Sequence, residues 1–319
     1  MRDDVLAIAQ ILSNVASFKT DSARDIGADE TLSDSGWALS PTTATISAED
    51  YVCTAVFMRG LHQAIQVALS EDPRRPIRVL YAGCGPYALL AVSLMAVLDP
   101  KEVQFTLLDI HQESIDSAKA IVGQLGLAKF VKNYEVFNAY RYAIPSDQTP
   151  HVIVCKMINA ALEKEPQVAI TRHFLYQAPK AVFVPKSIRI DVALVNMSKE
   201  SVQLDSNHEG EMPKPERERI PLGTVFELSS KSVKSWSKES GQTLPGGRIR
   251  LPGTLEKGYE PMLLTTIQVY GKHVLSDYDS GLTTPRPFPD GAVIKAGHTL
   301  KFRYRLGDRP GLTCGENGV

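Results

Sequence analysis

The stretch "RVLYAGCGPY", residues 78–87, carries the residues whose chemistry is easiest to name. An apolar run that breaks into two closely spaced glycines, Gly83 and Gly85, marks a strand ending where a nucleotide lies against bare main chain. The dinucleotide fingerprint asks for G-x-G-x-x-G, and the corresponding residues here are G-C-G-P-Y-A. Pro86 has no N–H to offer a pyrophosphate at a helix N-terminus. No Gly-Lys-Ser/Thr follows, which excludes a P-loop. The next apolar run, "VQFTLLDI", ends in Asp109, where a carboxylate accepts hydrogen bonds from ribose hydroxyls. That acid is common to NAD and S-adenosylmethionine sites, and these residues alone leave both open.

Such groups need a scaffold to hold them. Residues 1–20 and 47–71 space apolar residues at i, i+3 and i+4, which predicts two amphipathic helices. Ser47, Glu49 and Asp50 form the cap and first turn of the second, and a polar loop, 21–46, joins the two. From 77 the pattern alternates strand and helix: "IRVLYAG" then 86–98, "VQFTLLDI" then 112–125, "KNYEVFNA", then "HVIVCKMI" and a helix around 163–176. That alternation predicts a parallel sheet with right-handed crossovers. After "KAVFVPKSIRIDVALV" the runs are short and β-rich between Pro and Gly: "GTVFELS", "PMLLTTIQVYG", "AVIKAG" and "TLKFRYRLG". They predict an antiparallel β domain, barrel-like in character. The polar segment 207–223 reads as an exposed connection. The expected organisation is therefore an N-terminal helical segment (1–72), a Rossmann-like cofactor domain (73–187) and a C-terminal β domain (188–319).

The stretches "VLYAGCGPYALLA" and "TLLDIHQESIDSAKAIV" resemble the glycine-rich first motif and acidic second motif of class I S-adenosylmethionine-dependent methyltransferases, over roughly residues 77–185. This resemblance implies that the cofactor is S-adenosyl-L-methionine. "EVFNAYRY" lies where that family places its adenine-binding segment, which implies roles for Asn138 and Ala139. The cofactor-binding set implied by the resemblance is Thr54, Tyr81, Ala82, Gly83, Gly85, Asp109, Ile110, Asn138 and Ala139, with no metal. Tyr81 stands where the family commonly has an acid, and Tyr87 where it has a third glycine.

The order of helical segment, cofactor domain and β domain is similar to that of protein arginine methyltransferases. "EDYVCTAVFMRGLHQAI" resembles their helix before the cofactor domain, and "HVIVCKMINAALEKEPQVAITRHFL" resembles their active-site hairpin. "KAVFVPKSIRI" resembles their crossing into the β domain. In that family two glutamates face a guanidinium. Here the first falls on Lys156 and the second on Glu165, with Glu163 close by, so these three are the candidate catalytic residues. An ammonium in place of a carboxylate repels a guanidinium, which argues against peptidyl arginine. Cys53 stands where the family has an arginine for the cofactor carboxylate, and "LTTPRPF", 282–288, replaces its late Thr-His-Trp stretch.

Methyl transfer from a sulfonium is an in-line displacement needing alignment, and a base only where the nucleophile arrives protonated. Glu165 is the candidate to orient or deprotonate an amine. Lys156 either holds a substrate carboxylate or phosphate, or snorkels to solvent and pairs with Glu163 or Glu165. His151, His173 and His273 are the other candidate bases, and Asp277, Tyr278 and Asp279 either reach the pocket or form a polar turn. The expected activity is N-methyl, less favourably O-methyl, transfer to a small polar metabolite such as an amino acid or amine, in biosynthesis. The alternatives are aminopropyl or aminocarboxypropyl transfer with the same cofactor, protein arginine methylation, and a non-catalytic scaffold.

The chain of 319 residues is 43% hydrophobic and 22% charged with a net charge of -1, which gives no electrostatic footprint for nucleic acid or an anionic membrane. Four dispersed cysteines lack zinc-site spacings and read as free thiols of a cytoplasmic protein. The N-terminus lacks a signal-peptide cleavage pattern, and no apolar run approaches a membrane span. The resemblance to arginine methyltransferases also implies a homodimer.

Overall fold

The N-terminal region forms helix α1 (Arg2–Val15), a hairpin of β1 (Thr31–Ser33) and β2 (Gly36–Ala38), helix α2 (Pro41–Ile46) and helix α3 (Tyr51–Glu71). This computed structural model describes residues 1–19, 30–200, 215–236, 241–289, 292 and 294–315. The predicted polar loop, 21–46, is thus structured from residue 31 on, while 21–29 lie outside the described residues. The cap of α3 is Asp50 rather than Ser47. Asp50 Oδ1 accepts the Cys53 N–H at 3.1 Å, and its Oδ2 accepts the Ser280 hydroxyl at 2.6 Å. The Ser47 hydroxyl instead donates back to the Ala44 carbonyl of α2.

The parallel sheet is built from β3 (Ile77–Ala82), β4 (Val103–Asp109), β5 (Val131–Val136), β6 (Val152–Cys155) and β7 (Val182–Val184), in the order β5-β4-β3-β6-β7. Every pairing is parallel. Helices α4 (Leu89–Met95), α5 (Gln112–Gln124) and α6 (Gln167–Gln177) make the crossovers. All four residues of β6 and five of six in β3 are buried, as expected for strands covered on both faces. The strand order reverses between β3 and β6, and ligands of open α/β sheets bind at such a switch point.

The antiparallel region comprises β8 (Ser187–Asn196), the short helix α7 (Met197–Glu200), β9 (Arg219–Ser229), helix α8 (Ser230–Ser235), β10 (Thr243–Arg250), β11 (Tyr259–Tyr270), β12 (His273–Leu275), β13 (Arg286–Pro287), β14 (Thr299–Arg305) and β15 (Gly311–Gly315). One sheet runs β12-β11-β8-β9 with β13 on β11, and a second runs β10-β14-β15. β10 lies against β9 and joins the two sheets, with Phe226 stacked between Trp236 and Tyr304 in the core. "AVIKAG" forms no strand among the described residues, and 219–223, read as exposed connection, open β9. Residues 207–214 of that segment lie outside the described residues.

The helix expected around 163–176 starts at Gln167 because the loop before it bends the other way. Ala161, Leu162 and Lys164 have φ of 55°, 59° and 61°. Each non-glycine residue in this region costs on the order of 1–3 kcal/mol and persists only where its surroundings hold it. Here Tyr304 Oη donates to the Leu162 carbonyl at 2.8 Å, the Ala161 N–H donates to Thr265 Oγ1 at 3.0 Å, and the Trp37 N–H donates to the Lys164 carbonyl at 2.8 Å. Tyr304→Phe leaves the buried Leu162 carbonyl without its partner and should cost about 1–3 kcal/mol in urea unfolding. An unchanged urea midpoint would show that this bond does not hold the loop.

Candidate active site

A cleft lies over the C-terminal ends of β3, β4 and β6 and encloses about 1020 Å³, its open mouth included. One wall comes from the hairpin and α2 through Ser33, Ala38, Leu39 and Ala44, and the floor from the turn after β3. Gly83 and Gly85 sit at φ of 69° and 64°, a region glycine enters without cost. A Cβ on Gly83 would meet the Met157 side chain at 2.9 Å, so this glycine answers both to its backbone and to Met157 beneath it.

At the tip of β4 the Asp109 carboxylate is 7% exposed. Its Oδ2 accepts the Gly85 N–H at 2.9 Å and its Oδ1 the His111 N–H at 3.0 Å. A carboxylate has about four acceptor positions, so Asp109 braces the glycine turn and keeps capacity for ligand hydroxyls. His111 Nδ1 lies 3.3 Å from the same oxygen, and its Nε2 is 3.1 Å from the Thr31 hydroxyl of the hairpin. Ile110, Phe137, Asn138 and Ala139 line the adjoining wall, with Leu89 and Leu90 across the cleft. This is an apolar slot with amide groups at its edge, suited to a flat heterocycle.

At the other end stand Lys156 and Glu165, the flanks of the strained loop. Glu165 is 5% exposed, and its carboxyl makes no hydrogen bond among the described residues. Burial pushes its pKa up to about 8, opposed by the Lys156 charge and reinforced by Glu30. Lys156 is half-buried. The neck of the loop is closed by Gln167, whose Oε1 accepts the Met157 N–H at 3.0 Å and the Cys155 thiol at 3.4 Å. Its Nε2 donates to Thr171 at 3.2 Å.

Thr54 and Tyr81 line the same cleft, both buried. Two candidates do not join them. Ala82 is fully buried within β3 and does not line the cleft, and Glu163 turns outward to Arg286 at 3.4 Å. No candidate histidine faces the cleft either. His151 Nδ1 accepts the Arg78 N–H at the opposite end of the sheet, His173 bonds the Tyr142 carbonyl, and His273 lies in β12. Asp277 and Tyr278 are held by Arg219 and Glu200, and Asp279 closes its own turn on the Ser276 N–H. Sequence reasoning missed His111, Met157 and Gln167. Of these, only His111 carried a local signal, by following the acid in "LLDIHQ". Among the described residues, no group of three or more His, Cys, Asp or Glu could hold a metal ion, and no helix is long and apolar enough to cross a membrane.

No family model matches the sequence, and no curated protein matches it. The architecture is similar to a chain of the Trypanosoma brucei PRMT1 enzyme-prozyme heterotetrameric complex with AdoHcy. The two share 11% identity at a TM-score of 0.53, covering 82% of this chain and 87% of that one. The fold is methyltransferase-like.

The buried carboxyl of Glu165 makes stability depend on pH. Its pKa rises from 4.5 in the unfolded chain to about 8 in the folded one, so between those values the folded chain keeps a proton that the unfolded chain has released. Stability therefore falls as pH climbs from about 4.5 to about 8, and the loss is complete above that. Glu165→Gln removes the effect: its melting temperature should match wild type near pH 4, exceed it increasingly up to about pH 8 and keep that advantage at pH 9. A difference independent of pH would refute the assignment.

Proposed function

We propose that this chain is an S-adenosylmethionine-dependent methyltransferase that transfers a methyl group to nitrogen, less favourably oxygen, of a small polar metabolite such as an amino acid or amine. The observation that supports it is one cleft at the switch point joining the Gly83–Gly85 turn and Asp109 to a single buried, unbonded carboxyl, Glu165. The donor set fits the cofactor. Asp109 offers acceptors to ribose hydroxyls, the Ile110–Ala139 wall offers an apolar slot for the base, and the glycine turn lets the ligand lie against main chain.

When bound, S-adenosylmethionine supplies an electrophilic methyl on a sulfonium. The chain's residues contribute alignment and proton handling. Glu165 in its ionised form accepts a hydrogen bond or proton from the acceptor nitrogen, and the surrounding apolar side chains keep water from competing. Asp109 and the glycine turn fix the donor. With Glu163 turned away and Lys156 in the cleft, only one carboxyl faces the acceptor, half of what a bidentate guanidinium clamp needs. A homodimer and a cytoplasmic setting belong to the same reading. The buried free thiols Cys53, Cys84 and Cys155 accord with a reducing compartment.

Two substitutions test it. Asp109→Ala should weaken S-adenosylmethionine by about tenfold to a hundredfold in calorimetry, the equivalent of one or two lost hydrogen bonds to a charged group. Glu165→Gln should lower turnover by roughly a hundredfold while cofactor affinity holds. In wild type the rate should rise with pH through about 8 as Glu165 ionises, and that rise should vanish in Glu165→Gln. Wild-type protein that does not bind the cofactor would refute the reading.

A further inference from the structure

We propose that Lys156 holds the carboxylate at the amino-acid end of the cofactor itself, so that the methyl acceptor need carry no anionic group. The inference rests on the cofactor reading above. It begins with strand register. Ala82 of β3 pairs with Leu108 of β4 on one side and with Cys155 of β6 on the other. One residue further along, Asp109, Gly83 and Lys156 therefore stand abreast on three neighbouring strand tips. With strands about 4.8 Å apart, the main chains of Asp109 and Lys156 are about 10 Å apart with the glycine turn between them. A ligand that sets its ribose diol on Asp109 and crosses Gly83 brings its far end to Lys156. In S-adenosylmethionine that far end carries the carboxylate.

Charge in the cleft points the same way. Among the described residues lining it, Lys156 supplies the one ammonium, and there is no guanidinium. It makes no ion pair or hydrogen bond with any described residue. Burial holds its two ionisable neighbours toward their neutral forms, so each offers it only a weakened counter-charge. Burial pushes the Glu165 carboxyl up to about 8, and burial likewise raises the Cys53 thiol. A half-buried ammonium without a partner is costly, and the anion that relieves it must arrive with a ligand. The cofactor is present in every turnover, whereas an acceptor anion would leave the charge uncovered until the second ligand bound. Glu165 then remains as the polar group for the acceptor nitrogen, which favours simple amines over zwitterions. The same ammonium disfavours a cofactor that has lost its carboxylate, the donor form that aminopropyl transfer requires.

The test compares binding of S-adenosylmethionine and its decarboxylated form, which differ only in that carboxylate, by calorimetry on the full chain. Wild type should prefer the carboxylated ligand by about tenfold or more, the worth of a charge-assisted bond. In Lys156→Met the preference should fall to about twofold or less, through weaker S-adenosylmethionine binding, while the decarboxylated ligand still binds and reports an intact cleft. Lys156→Arg should keep most of the preference. A preference that survives Lys156→Met, or equal weakening of both ligands, would overturn the proposal and return Lys156 to the acceptor. Wild type that binds neither ligand would overturn the cofactor reading itself.

Discussion

The segment from Lys156 to Pro166 cannot keep its shape alone, and the end of the cleft that holds Lys156 and Glu165 takes its form because other parts of the chain impose that shape. Three side-chain-bearing residues in left-handed conformation are held by bonds from β11, β14 and the N-terminal hairpin. Lys156 and Glu165 stand at the two ends of this segment, so its bend sets their separation. Gln167 closes the neck from inside by gripping the main chain after β6. The site is thus a product of assembly: the parallel sheet supplies its floor, the β region fixes one loop, and the hairpin covers a flank.

What could be read in the sequence divides along this line. Gly83, Gly85 and Asp109 announce themselves because a strand, a turn and a second strand are local patterns, and the parallel sheet follows from their repetition. Lys156 and Glu165 stand out only through a resemblance to the arginine-methyltransferase hairpin, and the same resemblance offers Glu163, which the structure turns toward Arg286. Nothing in residues 31–38 foretells a hairpin. Its strands are three residues each, and it is held by distant partners, His111 and Lys164. The α3 cap was misread between two residues with capable oxygen side chains, and Asp50 prevails because Ser280, 230 positions away, also needs it.

The similarity at 11% identity separates what a fold retains from what it can change. Strand order and the cleft at the switch point depend on patterns of apolar residues that many sequences satisfy. Individual side chains at the strand tips are under no such constraint, and a fold alone therefore does not name a reaction. In this chain the loop after β6 carries a lysine at one end and a buried carboxyl at the other.

The register that sets Asp109, Gly83 and Lys156 abreast has a mechanical consequence. They stand one residue beyond the hydrogen-bond ladder that locks Ala82 between Leu108 and Cys155, in strands buried on both faces and among the stiffest parts of any protein. The main chain of the cleft floor is therefore set before anything enters it, and little backbone freedom is left there for binding to remove.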